Sequence, residues 1–270
     1  MELRAYSMRI LSLFLQLSLL LISCSDTTID SKNTPASGVT IHRNPNDYSI
    51  DKNAYFGDLH VHSMYSYDAF IFGGIASPDE AYKFAKGGTI THPAGFAMQL
   101  DLPFDFYAVT DHAYFLGVIR EMASENSDLA QHEVAEGIDQ VGEDPVLRRQ
   151  IFFNFTDFAN SGRGSELMDE TVITNAWNDI VTSAERHNDP GNFTTFVAYE
   201  YTGTGPSREM LHRNVIFRDS NTPELPFSRL DSDNPEDLWT WMDSNRSMGI
   251  ESLAIPHNSN YSEGLMFDLV

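Results

Sequence analysis

The stretch YFGDLHVHSMYSYDAF, residues 55–70, decides how the chain is interpreted. Its first half has the composition of a short β-strand, in which His60 and His62 flank one valine, with acids at Asp58 and Asp68. Residues two apart on a strand face the same way, so both imidazoles can converge on one point. Such a pair is half of a metal site. Taken alone, it fits equally well two histidines with ordinary hydrogen bonds on a half-exposed face.

Further potential ligands stand at the ends of other strand-like runs. FDFYAVT is followed by Asp111 and His112, FTTFVAY by Glu200, and SLAIP by His257. The carboxyl ends of parallel strands are where α/β folds, barrels especially, collect their active sites. The pattern therefore predicts one metal site assembled from separate segments of the chain.

The residue types in this set indicate the metal and the chemistry. Histidines mixed with carboxylates, without thiolates, suit Zn, Mn or Fe better than Ca or Mg. Two or three such ions would lower the pKa of a shared water and clamp a phosphoryl group, so hydrolysis is the expected reaction class. We expect a metal-dependent phosphoric ester hydrolase that acts on a small phosphorylated or anionic substrate.

Helix signals lie between the strand-like runs. In SPDEAYKFAKGG, Ser77 is the predicted N-cap, Pro78 the first helical residue and Glu80 the partner in a capping box. A second helix is predicted to start at Asn234-Pro235, and a third spans roughly residues 168–187 by its apolar spacing. Strands alternating with helices predict an α/β fold around a parallel sheet, either open or closed into a barrel. Residues 113–164 are weakly periodic and predict an irregular, partly helical insertion.

The N-terminus predicts export. Two arginines precede an apolar run from residue 10 to residue 22, which is typical of a secretory signal peptide over residues 1–23. The run ends in Leu-Ile-Ser-Cys, which is similar to a bacterial lipobox, so Cys24 is the expected lipidated first residue. The alternative is an ordinary cleaved signal followed by a free thiol. Polar residues 24–54 would form a tether, and the folded domain would span residues 55–270.

Charge and cysteine content narrow the expected partners. The formal net charge of -22 would repel DNA or RNA, so no nucleic-acid partner is expected. The single cysteine, if lipidated, leaves none for disulfides despite the exported location. The expected location is the bacterial cell envelope, facing the periplasm or the exterior, with membrane contact through the N-terminal lipid only. The oligomeric state is left open.

At the quoted residues the chain resembles the PHP (polymerase and histidinol phosphatase) superfamily of metal-dependent phosphoesterases. The sequence is most similar to one branch, domain-of-unknown-function family 3604 (DUF3604), from roughly residue 55 to the end. The similar segments are GDLHVHSMYSYDA, KFAKGGTITHPAG, PFDFYAVTDH, HRNVIFRD and LAIPHNSNYSEGLMF.

The resemblance implies a distorted (β/α)7 barrel with up to three metal ions. It implies six metal ligands, which are His60, His62, His112, Glu200, His212 and His257. Asp111, His112 and Glu200 would be catalytic, and Asp58 and Asp111 would orient imidazoles. His212 is assigned by the resemblance alone, because it precedes its apolar run and would lie at the wrong end of a barrel strand running in the usual direction.

The chain departs from the PHP pattern at its end. A later Asp-x-His motif is expected in such proteins, and about five of seven barrel strands are recognisable here. We therefore expect a barrel that is incomplete at the C-terminus, from a truncated reading frame. Two alternatives remain beside the hydrolase: a non-catalytic metal-binding or ligand-binding lipoprotein, and an inactive fragment of such an enzyme. A nucleic-acid exonuclease of the same superfamily is disfavoured by acidity and export.

Overall fold

The computed structural model describes residues 53–140, 144–257 and 259–267, and these residues form a mixed α/β structure. The mixed α/β class predicted from the sequence is confirmed. The predicted signal peptide, the expected lipidation site Cys24 and most of the predicted tether lie outside the described residues. Within the described ranges, no helix has the length and apolar character needed to cross a bilayer.

In the ranges that the structure describes, eight strands form three small sheets. The first sheet is parallel, in the order β1-β4-β5, and consists of Gly57–Asp58, Phe106–Tyr107 and Thr194–Thr195. The second is an antiparallel pair of β2, Ile90–Thr91, and β3, Ala97–Met98. The third is antiparallel, in the order β6-β7-β8, and consists of Ala198–Tyr201, Arg213–Phe217 and Ser252–Pro256.

Hydrogen bonds connect the first and third sheets. A parallel bridge pairs His112, beyond β4, with Glu200 of β6. The Asn214 side-chain amide of β7 donates to the Leu59 carbonyl beyond β1, at 2.7 Å. Ala108, Ala198 and Ile216 form a small apolar cluster between the two sheets. Strands from separate parts of the sequence therefore bring their ends to one place.

The predicted (β/α)7 barrel is not confirmed. No closed barrel is formed by the strands that the structure describes. The departure begins after β6, because residues 202–212 connect it to β7 as a hairpin loop and the two strands pair antiparallel. A parallel connection requires a crossover of about a dozen residues or more, normally with a helix, and this loop contains none.

Six α-helices accompany the strands in the described ranges. They are α1, Tyr67–Ile71; α2, Pro78–Ala85; α3, Val118–Met122; α4, Pro145–Ala159; α5, Glu170–His187; and α6, Pro235–Ser247. The predicted capping box of α2 is confirmed, since Ser77 accepts from the Glu80 N–H and Glu80 accepts from the Ser77 N–H. The Asn234 cap of α6 is also confirmed.

The apolar face of α5 anchors the main core. Trp177 and Ile180 of this helix are fully buried, and the Trp177 ring packs on Tyr199 and Phe217 of the third sheet. The predicted insertion, residues 113–164, contains α3, α4 and three short 3-10 turns at residues 128–131, 133–135 and 138–140. The apolar face of α5 thus packs against one face of the third sheet. Polar residues lie at the strand ends of that sheet.

Candidate metal centre

The segment after β1 places its two histidines on one side of the sheet. The Thr110 N–H donates to the Val61 carbonyl at 2.7 Å, and the Val61 N–H donates to the Thr110 hydroxyl at 2.9 Å. The intervening valine is thereby held against the segment beyond β4, and the rings of His60 and His62 lie 5.1 Å apart. The same-face arrangement expected of a His-x-His pair is present.

Antiparallel pairing brings two more histidines to the same end of the molecule. Because β7 runs opposite to β6, the residue before β7, His212, lies at the carboxyl end of β6, near Glu200. Strand β8 reverses direction again, so His257 follows it at that end, and the His257 N–H donates to the His212 carbonyl at 3.4 Å. His212 would lie at the wrong end only if β7 were a barrel strand in the usual direction. That condition is not met, so His212 lies with the other candidate ligands.

The Glu200 carboxylate lies among the ring nitrogens of five histidines. Its side chain is 1% exposed. Around Oε2 the distances are 2.8 Å to His62 Nε2, 3.3 Å to His60 Nε2 and 3.6 Å to His112 Nδ1. Around Oε1 they are 2.7 Å to His212 Nδ1 and 3.1 Å to His257 Nε2. All six residues expected as ligands from the sequence are therefore gathered at one place.

A second carboxylate, Asp68, completes the cluster and was not assigned a role from the sequence. It lies in the first turn of α1, with Oδ1 3.1 Å from His62 Nδ1 and Oδ2 3.5 Å from His112 Nε2. The available signal was its presence in the opening stretch, six residues beyond His62. A helical turn after the strand returns such a residue to the site, and no strand periodicity indicates this.

Mutual interactions shift the pKa values of the cluster. Burial alone would lower the pKa of His62, but hydrogen bonds to Asp68 and Glu200 outweigh it and raise that pKa to about 10. Burial would raise the pKa of Glu200, yet the surrounding imidazoles hold it well below its usual value. In His212 burial prevails, and its pKa is lowered despite the contact with Glu200. Charge and hydrogen bonding between carboxylates and imidazoles thus outweigh burial at His62 and Glu200 but not at His212.

The donor atoms fit a metal better than they fit one another. Among the buried side-chain atoms that the structure describes, Glu200 Oε1, His212 Nδ1 and His257 Nδ1 have no aligned hydrogen-bond partner. The first two are only 2.7 Å apart, which is the arrangement of two ligands that face one cation. Buried polar atoms without partners are costly, and a cation would satisfy them.

Among the residues that the structure describes, three overlapping groups of side chains could hold a metal ion. Within each group the ligand atoms lie within 4.8 Å of one another. The groups are His60 with His62 and Glu200; His62 with Asp68 and His112; and His112 with Glu200 and His212. Nitrogen and carboxylate donors without thiolates suit Zn, Mn or Fe.

The two aspartates expected to orient imidazoles contact the backbone instead. Asp58 accepts a hydrogen bond from the His60 N–H at 2.9 Å. Asp111 is fully buried and accepts from the Ser63 N–H at 2.5 Å and from the Ser63 hydroxyl at 2.6 Å. Burial raises the pKa of Asp111. Both carboxylates therefore fix the segment that carries the histidines rather than the rings themselves.

Fold and site together define a mixed α/β protein with a candidate metal centre of five histidines and two carboxylates. Comparison with known families is consistent with the motifs in the sequence: the model described as protein of unknown function (DUF3604) matches residues 49–270. The chain belongs to this family. Searches of curated proteins and of solved structures gave no significant match.

Proposed function

We propose that the protein is a metal-dependent hydrolase of the PHP type that cleaves a small phosphorylated ester. In this proposal the first and third sheets correspond to part of a distorted PHP-like barrel. The single observation that carries the proposal is the position of Glu200, a buried carboxylate with ring nitrogens of five histidines between 2.7 and 3.6 Å away. Divalent Zn, Mn or Fe ions bound there would supply activation of water and neutralisation of phosphoryl charge.

The candidate ligands differ in exposure, and their proposed roles follow from that difference. His112, His212 and His257 are at most 7% exposed and hold the buried side of the centre. His60 is 39% exposed and Asp68 31% exposed, so the substrate would approach from their side. Negative charge elsewhere on the chain favours a small anion over a polyanion, because a long nucleic acid would meet repulsion along its length.

The proposal is tested by metal analysis and hydrolysis with the same protein. The full chain is purified without chelators, its metal content is measured, and turnover of a panel of phosphomonoesters and phosphodiesters is assayed. The double variant His60→Ala with His62→Ala is expected to lose both metal and turnover. His187→Ala is the matched control, because His187 pairs with Asp79 at the end of α5 and touches no residue of the cluster. Undiminished metal content in the double variant would contradict the proposal.

A second candidate is a metal-binding protein without turnover. The burial of Glu200 and of three of its histidine neighbours favours it, since such ligands retain an ion firmly and admit substrate poorly. Stoichiometric metal with no hydrolysis across the panel would support this candidate over the hydrolase.

The proposed location is tested separately. We propose that the protein is exported and held at the cell envelope by lipid on Cys24. The wild-type chain is then expected in the membrane fraction, and Cys24→Ser is expected to release it. Equal membrane association of both chains would contradict lipidation at this residue.

A further inference from the structure

A threonine hydroxyl contacts one histidine of the cluster. The His112 ring is buried, and its Nδ1 lies 2.7 Å from the Thr202 Oγ1 atom. Thr202 is itself 3% exposed and follows Glu200 by two residues, so both side chains point to the same face from the end of β6. No role in the site was expected for Thr202 from the sequence.

His112 belongs to two of the three groups that could hold a metal. Its Nε2 lies 3.5 Å from Asp68 Oδ2, and its Nδ1 lies 3.6 Å from Glu200 Oε2. A neutral imidazole has one lone pair, because the other nitrogen carries the proton. His112 can therefore bind a metal ion in only one of the two groups at a time. The tautomer of the ring determines which group that is.

We propose that Thr202 is a positioning residue that fixes the tautomer of His112. The Nδ1–H donates to the Thr202 hydroxyl, and the Nε2 lone pair is thereby directed toward Asp68 and His62. Nδ1, which faces Glu200 Oε2, then has no lone pair to offer a metal, and Glu200 is left to its other histidine neighbours. A hydrogen bond on the far nitrogen is how the orientation of a metal-binding histidine is generally set.

Two neighbouring contacts support this assignment. The His112 N–H donates to the Ser66 hydroxyl at 2.9 Å, which fixes the backbone from which the ring projects. The Tyr67 ring stacks on the His112 ring at 4.7 Å and covers one face of it. With the backbone and the ring plane restrained, the Thr202 oxygen is the hydrogen-bond partner within reach of Nδ1. An Nδ1–H that donates to it leaves the Nε2 lone pair free for a metal. This inference rests on the proposed metal function for its consequence, but not for the tautomer itself.

The test compares Thr202→Val with Thr202→Ser in the full chain. Valine retains the shape of threonine without the hydroxyl, and serine retains the hydroxyl without the methyl group. Thr204→Val is the matched control, because the Thr204 hydroxyl bonds the Thr202 carbonyl and not a ring. Ring ¹⁵N spectra of the metal-free chain at alkaline pH report which nitrogen of His112 carries the proton, and metal titration reports affinity.

We expect Nδ1–H in the wild-type chain and in Thr202→Ser and Thr204→Val, and a mixture of tautomers in Thr202→Val. Metal affinity should fall by about 10- to 100-fold in Thr202→Val, as for other outer partners of metal-binding histidines, and return in Thr202→Ser. An unchanged tautomer in Thr202→Val, or an equal loss in Thr202→Ser, overturns the inference. If Thr202→Val does not fold, Thr202→Ala replaces it. A wild-type chain that binds no metal contradicts the proposed function, while the ¹⁵N spectra still decide the role of Thr202.

Discussion

The two halves of the candidate metal centre differ in origin and exposure. The inner half consists of His212 and His257 on the Oε1 side of Glu200, and these histidines are 7% and 5% exposed. The outer half consists of His60, His62 and Asp68, which follow β1 and begin α1 and are 16–39% exposed. Antiparallel strands supply the inner half, and an irregular segment supplies the outer one. In the proposed hydrolase, the inner half would retain the metal and the outer half would meet the substrate.

The largest effect is expected from Glu200→Gln, which removes the carboxylate shared by both halves. Metal affinity should fall by about 100-fold or more, above the roughly 10- to 100-fold cost of losing an outer partner, because a primary donor is lost. Hydrolysis should be lost with the metal. Metal titration by calorimetry measures the change. Glu209→Gln is the control, since Glu209 is also buried but binds the backbone of its own loop. Similar losses in both variants would indicate a folding defect.

A comparison of His257→Ala with His60→Ala tests the division between the halves. Loss of the buried inner ligand should weaken metal retention strongly and speed dissociation during dialysis. Loss of the exposed outer ligand should lower turnover more than it lowers metal content. Metal content after dialysis and turnover at saturating metal are the two measurements. If His60→Ala loses metal faster than His257→Ala, the assignment of the halves is reversed.

The raised pKa of His62 makes the metal-free chain sensitive to pH. An unfolded histidine titrates near 6.5, and in the fold the pKa of His62 is about 10, so the proton stabilises the folded state. This contribution is fully present below about pH 6.5 and is lost as the pH rises through about 10. The melting temperature of the metal-free chain should therefore decline over that window, and less so in His62→Gln. Metal affinity should rise over the same window, because the metal displaces that proton.

Parallel slopes of melting temperature in the two metal-free chains would contradict the role of His62. Metal-loaded wild-type chain is the internal comparison, because in it the proton has already been displaced and the slope should be shallow. The outer half would then respond to pH through His62. Burial lowers the pKa of His212, so this ring is already neutral over that alkaline window.

The sequence predicted local features of this structure better than it predicted the long-range geometry. The capping box at Ser77 and Glu80 is visible in four residues, because cap and partner are neighbours in the chain. The candidate ligands His112, Glu200 and His257 were selected because each follows an apolar run, and His60 because it forms a His-x-His pair with His62. Their convergence then follows from strands whose ends meet at one place.

The direction of β7 and the role of Asp68 could not be obtained in the same way. An apolar run such as Arg213–Phe217 has the same pattern in either direction, so its pairing depends on the loop and on the partner strand. The shortness of residues 202–212 was the available clue to a hairpin. Asp68 reaches the cluster through the turn of α1, and closure of a barrel depends on pairing between distant strands. None of these is a property of one segment.

The smallest effect is expected at α2, far from both halves of the centre. Ser77→Ala removes the side chain that accepts from the Glu80 N–H, and loss of such a cap costs about 1 kcal/mol of folding free energy. For a domain of this size the melting temperature should fall by about 2–4 °C. Metal affinity and turnover should stay at wild-type values, because no residue of the cap touches the cluster. Thermal unfolding with metal titration on the same sample measures both. A matching loss of metal would mean that the centre depends on global stability, and the contrast between its halves would then need variants of equal stability.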